Sequence, residues 1–110
     1  RGRVFLERRP AAGIWGGLWS FPECPAGRPP ERWFQEQFGL EIKSGVPWDP
    51  VQHGFTHLEL EIRPLPAQLV GTAIIVESLD HVWYKPGSLL GRGVAAPVRR
   101  LLEQLQDHPF

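Results

Sequence analysis

The 110-residue sequence predicts a mixed α/β (α+β) domain, a sheet flanked by helices, on three observations. Leu58, Leu60 and Ile62 alternate with Glu59, Glu61 and Arg63, the period of a strand with one buried face. Val94, Val98, Leu101, Leu102 and Leu105 recur at helical spacing, with Arg99, Arg100, Glu103 and Gln104 between them. Twelve Pro and twelve Gly are too many for a helical bundle and supply the turns of a sheet-containing fold. The length suits one domain with its own core and is too short for two. Five Trp and six Phe give that core a large apolar content.

The elements follow in order. Arg3 to Arg9 reads as a strand, with Val4 and Leu6 set against Arg3 and Glu7; Phe5 falls on the polar side and spoils the alternation. Pro10-Ala11-Ala12-Gly13 ends it. The glycines of Trp15-Gly16-Gly17-Leu18 bend the chain, Leu18 to Phe21 form a short strand, and Cys24 to Pro30 is a Pro-rich loop. Pro29 and Pro30 lead into a helix over Glu31 to Phe38, with an acid in its first turn and Gly39 as its stop. Glu41 to Trp48 is compatible with a strand ended by Pro47 and Pro50 and with a loop. Val51 to Arg63 reads as a hairpin turning near Gly54 to His57. Strand material lies between Leu65 and Leu79, best at Ala73 to Val76, and again at His81 to Tyr84. Pro97 stands in the first turn of the closing helix, whose apolar stripe is expected to pack on the sheet.

Lys plus Arg equals Asp plus Glu at twelve each, so net charge is zero. A domain that grips duplex DNA alone carries a positive excess, because phosphate neutralisation drives that binding. The balance argues against a strong autonomous DNA binder and leaves room for a module that inspects DNA held by another domain. The single Cys24 forms no internal disulfide and no multi-Cys metal site, which fits a reducing compartment. No signal-peptide pattern and no long apolar run is present, so no membrane partner is expected. The sequence has no Met and opens straight into strand-like residues, as expected of a piece of a longer protein.

Phe55, Thr56 and His57 stand together where a strand begins. A ring, a hydroxyl that donates or accepts, and an imidazole with two distinct nitrogens can between them read a base edge. The plainer reading is a core Phe, an ordinary Thr and a surface His. His53 is read as structural or as part of the site. His81 and His108 have no visible partner and read as surface residues.

Three segments in order decide between these readings. Leu6-Glu7-Arg8-Arg9-Pro10 through Trp15-Gly16-Gly17-Leu18-Trp19-Ser20-Phe21-Pro22 resembles the start of the C-terminal domain of the MutY family of adenine DNA glycosylases. His53-Gly54-Phe55-Thr56-His57 resembles that family's Phe-Ser-His loop, with Thr for Ser. Trp83-Tyr84, Gly93 to Val98 and Leu101-Leu102 resemble its closing strand and helix. The match is weakest between Pro25 and Pro50. The resemblance implies a Nudix-like fold, a mixed twisted sheet flanked by helices, over residues 1–110. It implies recognition of 8-oxoguanine opposite adenine in double-stranded DNA during base-excision repair. It places adenine excision, its catalytic residues and a 4Fe–4S cluster in an N-terminal glycosylase domain absent from these residues. A four-iron cluster takes four Cys and this chain has one. No catalytic residue, cofactor or metal ligand is therefore assigned here, and the chain alone is expected to be inactive. By resemblance Thr56 contacts the lesion, Phe55 wedges or stacks beside it, and His57 senses the pair. His53, Gly54, Arg8 and Arg9 are further candidates, the arginines with Arg92 for phosphates. The resemblance also implies a cytoplasmic, nucleoid-associated protein of bacterial type.

A Nudix-like fold raises hydrolysis of nucleoside diphosphate derivatives as a rival. That chemistry needs clustered carboxylates holding magnesium. The motif runs Gly, five residues, Glu, seven residues, then Arg-Glu-apolar-any-Glu-Glu-any-Gly. Gly17 and Glu23 fit its opening; counted back from Gly39, Arg32 fits the Arg position one residue late, Trp33 replaces the first helix glutamate, Glu36 keeps the second and Gln37 replaces the third. A protein-interaction module is the remaining alternative, with Trp15, Trp19 and the Cys24–Pro30 loop as an exposed apolar patch.

Overall fold

The computed structural model describes residues 3–71, 77–85 and 93–107. The elements run β1 (Val4–Arg8), β2 (Trp19–Ser20), α1 (Pro30–Phe38), β3 (Ile42–Ser44), β4 (Val51–Gly54), β5 (Glu59–Ile62), β6 (Ala67–Leu69), β7 (His81–Tyr84) and α2 (Ala96–Asp107). The strand expected at Ala73 to Val76, together with Arg92 and His108, lies outside the described residues. The chain gathers into two units, one of Arg1–Glu23 with Val76–Phe110 and one of Cys24–Ile75.

In the first unit β1 is the middle strand of the order β2-β1-β7, antiparallel to both neighbours. A parallel bridge ties Trp19 to Val94. The central position explains the spoiled alternation in β1. Leu6, wholly buried, faces a core of Trp19, Ala95, Val98 and Leu102. Phe5, on the opposite face, is also buried, stacking on the His81 ring at 5.5 Å and lying 5.4 Å from Trp83. Both faces of the strand are covered, so apolar side chains are needed on both.

Helix α2 buries Pro97, Val98, Leu101 and Leu102 and exposes Arg99 and Arg100, as its stripe requires. Val94 serves in the bridge to Trp19 rather than in the helix. Trp19 is buried and Trp15 packs against the same core, so the exposed aromatic patch expected of an interaction module is not formed by these two rings. The bend between β1 and β2 depends on Gly16, where a Cβ would lie 2.1 Å from the Ala11 carbonyl oxygen. Beside it Trp15 takes a left-handed φ of 54°, a conformation that costs an L-residue about 1–2 kcal/mol.

In the second unit α1 begins with Pro30 and ends at Gly39, whose φ of 70° lets its N–H reach the Gln35 carbonyl at 2.8 Å. Phe34 is its buried residue. The ambiguous stretch after it resolves as strand β3, paired antiparallel with β6. The second antiparallel pair is the β4–β5 hairpin, at the place the alternation predicted.

Candidate functional site

The hairpin register sets Val51 against Ile62, Gln52 against Glu61, His53 against Leu60, and Gly54 against Glu59. Val51, His53, Leu60 and Ile62 form its half-buried face, and Gln52, Glu59 and Glu61 its exposed one. Gln52 Nε2 donates to Glu61 Oε2 at 3.1 Å, and Arg63 Nε donates to Glu61 Oε1 at 2.8 Å. Past Gly54 the Phe55 N–H donates to the Leu58 carbonyl at 2.7 Å and closes a tight turn. Thr56 and His57 are the two central residues, and both are exposed.

Phe55 continues the parity of Val51 and His53 and is half-buried. Its ring meets the His53 imidazole edge-to-face, with centroids 4.7 Å apart and planes at 68°. His53 thus belongs to the support beneath the turn. Gly54 is exposed, and a Cβ there would meet nothing within 4 Å, so this glycine is not required by crowding. Leu58 shares the parity of Leu60 and Ile62 but lies past the covered face, with 44% of its surface exposed.

The two arginine candidates belong to the first unit, and both have protein partners. Arg8 donates from Nε and Nη2 to Asp80 Oδ1 at 3.0 and 2.8 Å. Arg9 donates from Nε to the Ile14 carbonyl at 2.9 Å, pairs with Glu23 through Nη1, and lies over the Trp15 ring. The Arg9 side chain is 21% exposed against 44% for Arg8, so Arg9 is the one built into the bend after β1. Both line a cleft of about 380 Å³ with Glu7, Pro10, Phe21, Glu23, Asp80 and His81.

His81 corrects an expectation. The sequence alone suggests a surface residue without a partner, yet it is half-buried and held from three sides. Its Nδ1 lies 2.9 Å from the Ser78 hydroxyl, its Nε2 lies 3.5 Å from Glu7 Oε1, and its ring stacks on Phe5 at 7°. Burial raises the Glu7 carboxyl from its ordinary value, against the opposing pull of His81 and Arg9. Only strand register could have revealed this contact, because Glu7 and His81 are cross-strand partners far apart in sequence.

The remnants of a magnesium motif do not fit the ion. Glu23 is paired with Arg9, and Glu36 with Arg28 and Arg32. At the other two carboxylate positions stand Gln37 and Trp33, and the Trp33 ring packs on Phe34 and Phe38. A Trp and a neutral amide do not supply the hard, charged oxygens that magnesium requires. Among the described residues no group of three or more His, Cys, Asp or Glu is placed to hold a metal ion. Nor is any described helix long and apolar enough to cross a membrane.

Comparison with known proteins places this geometry in a family. A family model described as a NUDIX domain matches residues 1–104. The adenine DNA glycosylase of Buchnera aphidicola subsp. Baizongia pistaciae (strain Bp) is 25% identical over 103 residues, which are 94% of this chain and 29% of that relative. The solution structure of the E. coli ORF135 protein superposes with a TM-score of 0.64 at 22% identity, covering 98% of this chain and 85% of that one, a likeness of fold alone.

Proposed function

The chain belongs to the NUDIX domain family, and from that premise we propose that residues 1–110 act as one recognition domain for 8-oxoguanine opposite adenine. In this reading a glycosylase domain of the same longer protein hydrolyses the N-glycosidic bond of the mispaired adenine. That domain, with its 4Fe–4S cluster, is the partner of the domain described here, and the setting is repair of cytoplasmic, nucleoid DNA. The curated relative named adenine DNA glycosylase supports it, this chain spanning 29% of that relative's length.

The observation that carries the proposal is the closed turn at Phe55–Leu58, which presents an exposed hydroxyl and an exposed imidazole on a paired two-stranded base. Oxidation of guanine at C8 adds an acceptor, O8, and turns N7 from an acceptor into an N–H donor. A Thr hydroxyl answers either change, accepting from N7–H or donating to O8. Its β-branch limits χ1, so the hydroxyl is offered in few directions. His57 beside it contributes a second polar group to the lesion pair. Phe55 acts through its ring contact with His53, which stiffens the turn. A mismatched pair is already weakened, which lowers the cost of exposing its edges.

The diphosphate-hydrolase reading is disfavoured by the carboxylates, since Glu23 and Glu36 are committed to arginines and Trp33 and Gln37 replace the others. The proposal is tested by Thr56→Ala in the full-length glycosylase. Loss of one base-edge hydrogen bond should shrink the preference for 8-oxoguanine:adenine over guanine:adenine by roughly 1–2 kcal/mol, about tenfold, a bidentate contact being worth ~1–3. An unchanged preference removes Thr56 from the mechanism.

A further inference from the structure

The hairpin tip carries one exposed group that the proposed reading leaves without a role. We propose that Leu58, rather than Phe55, is the apolar wedge that enters the base stack beside the lesion. The inference rests on the reading of the hairpin as a lesion reader and adds a residue to it.

Three observations carry it. The Phe55 ring is half-buried and engaged with His53, and its N–H closes the turn, so its side chain is held in the support of the tip. Leu58 is 44% exposed although its parity matches the covered Leu60 and Ile62, because the turn carries it past the edge of that face. The exposed face just behind the tip bears Glu59 and Glu61, the second of which holds Gln52 and Arg63. Glu59 beside the tip repels phosphates and the charge of Glu61 is offset by Arg63, so the hairpin gains little by laying that face along a DNA backbone. An approach to bases with the tip is favoured, where the groups offered are the Thr56 hydroxyl, the His57 imidazole and the Leu58 isobutyl.

A lone exposed Leu would need no explanation. One fixed by a closed turn next to two base-edge readers has a defined place, the step adjoining the base they contact. Leu is among the side chains that proteins insert between base steps, partly unstacking them and opening the duplex. Thr56 would then supply discrimination and Leu58 the unstacking that brings the edge within reach.

The test uses the 110-residue chain with duplexes that carry 2-aminopurine on the strand opposite 8-oxoguanine, as a fluorescent reporter of stacking. At saturating protein and low salt, the native chain should raise the fluorescence. Leu58→Ala at saturation should lose at least about half of that rise, and Leu58→Met should restore it, because only apolar bulk is required. Thermal unfolding of each variant confirms that the fold is kept, and Leu58→Asn, which keeps the size but replaces the apolar tip with an amide, gives a second test should the Ala variant fail to fold. A full rise with both Leu58→Ala and Leu58→Asn, while Thr56→Ala still shrinks the preference for 8-oxoguanine over guanine, overturns the wedge and leaves the lesion reader standing. Absence of binding to every duplex overturns the lesion-reader proposal, and the wedge with it.

Discussion

The cleft beside β1 and the tip of the β4–β5 hairpin both gather polar side chains, but they commit them differently. In the cleft Arg8 is taken by Asp80, Arg9 by Ile14 and Glu23, and His81 by Ser78 and Glu7. A ligand there has to displace bonds the protein already makes. At the tip Thr56 and His57 face solvent, and the ordering cost is borne by the backbone bond from Phe55 to Leu58 and by the ring contact beneath it. Groups held in place without their own polar atoms being consumed are groups ready to bind. On the proposed reading the charge in the cleft is structural, and the sparse tip is the part that recognises the lesion.

The largest effect that could break this contrast lies in the cleft. Arg9→Ala removes a charged donor from the Ile14 carbonyl and from Glu23 at a mostly covered site, and hydrogen bonds to charged groups are worth about 1.5–3 kcal/mol. Urea unfolding should show a loss of that order, whereas Arg8→Ala, at an exposed pair, should cost no more than ~1 kcal/mol. Equal costs would mean that Arg9 is not built into the bend after β1. Thr56→Ala, by contrast, should leave stability within about 0.5 kcal/mol and act on lesion preference alone.

A smaller effect concerns pH. Glu7 has its carboxyl raised by burial, so its ionised form is the penalised one. Its contribution to stability is fully present below the ordinary value of 4.5 and is lost as pH rises through the raised value. Glu7→Gln should abolish that loss, so the variant should gain on the parent chain between pH 4 and neutrality in urea unfolding at stepped pH. A constant difference across that range would show that Glu7 titrates as it does in the unfolded chain.

The smallest effect is local. Glu31 accepts a hydrogen bond from the Ser44 hydroxyl at 2.5 Å, which draws its carboxyl below the ordinary value. Carbon-detected NMR titration of Ser44→Ala should find the Glu31 midpoint moved back upward; an unmoved midpoint would remove Ser44 as the cause.

Much of this was legible in the residues themselves. The alternation from Leu58 to Ile62, the stripe of α2 and the turn residues around Gly54 are local patterns, and each element lies where they placed it. The tip was legible for the same reason, since a turn of two residues is fixed by its neighbours. What could not be read was set by partners distant in sequence. Phe5 breaks the alternation because His81 and Trp83 cover its face. Arg8 and Arg9 look like free cations until Asp80 and Glu23 are brought to them. β3 became a strand through pairing with β6, and nothing in Ile42 to Ser44 alone demanded it.

The central claim is that lesion DNA meets the hairpin tip and not the charged cleft. The most direct measurement is titration of an 8-oxoguanine:adenine duplex into the ¹⁵N-labelled chain. Binding should be weak for a chain of zero net charge and should fade as salt rises. The amide signals of Gly54 to Leu58 should shift most, and should shift less with a guanine:adenine duplex. Still amides at the tip, with movement at Glu7, Arg8, Arg9 and His81 instead, would contradict the account and move the site to the cleft.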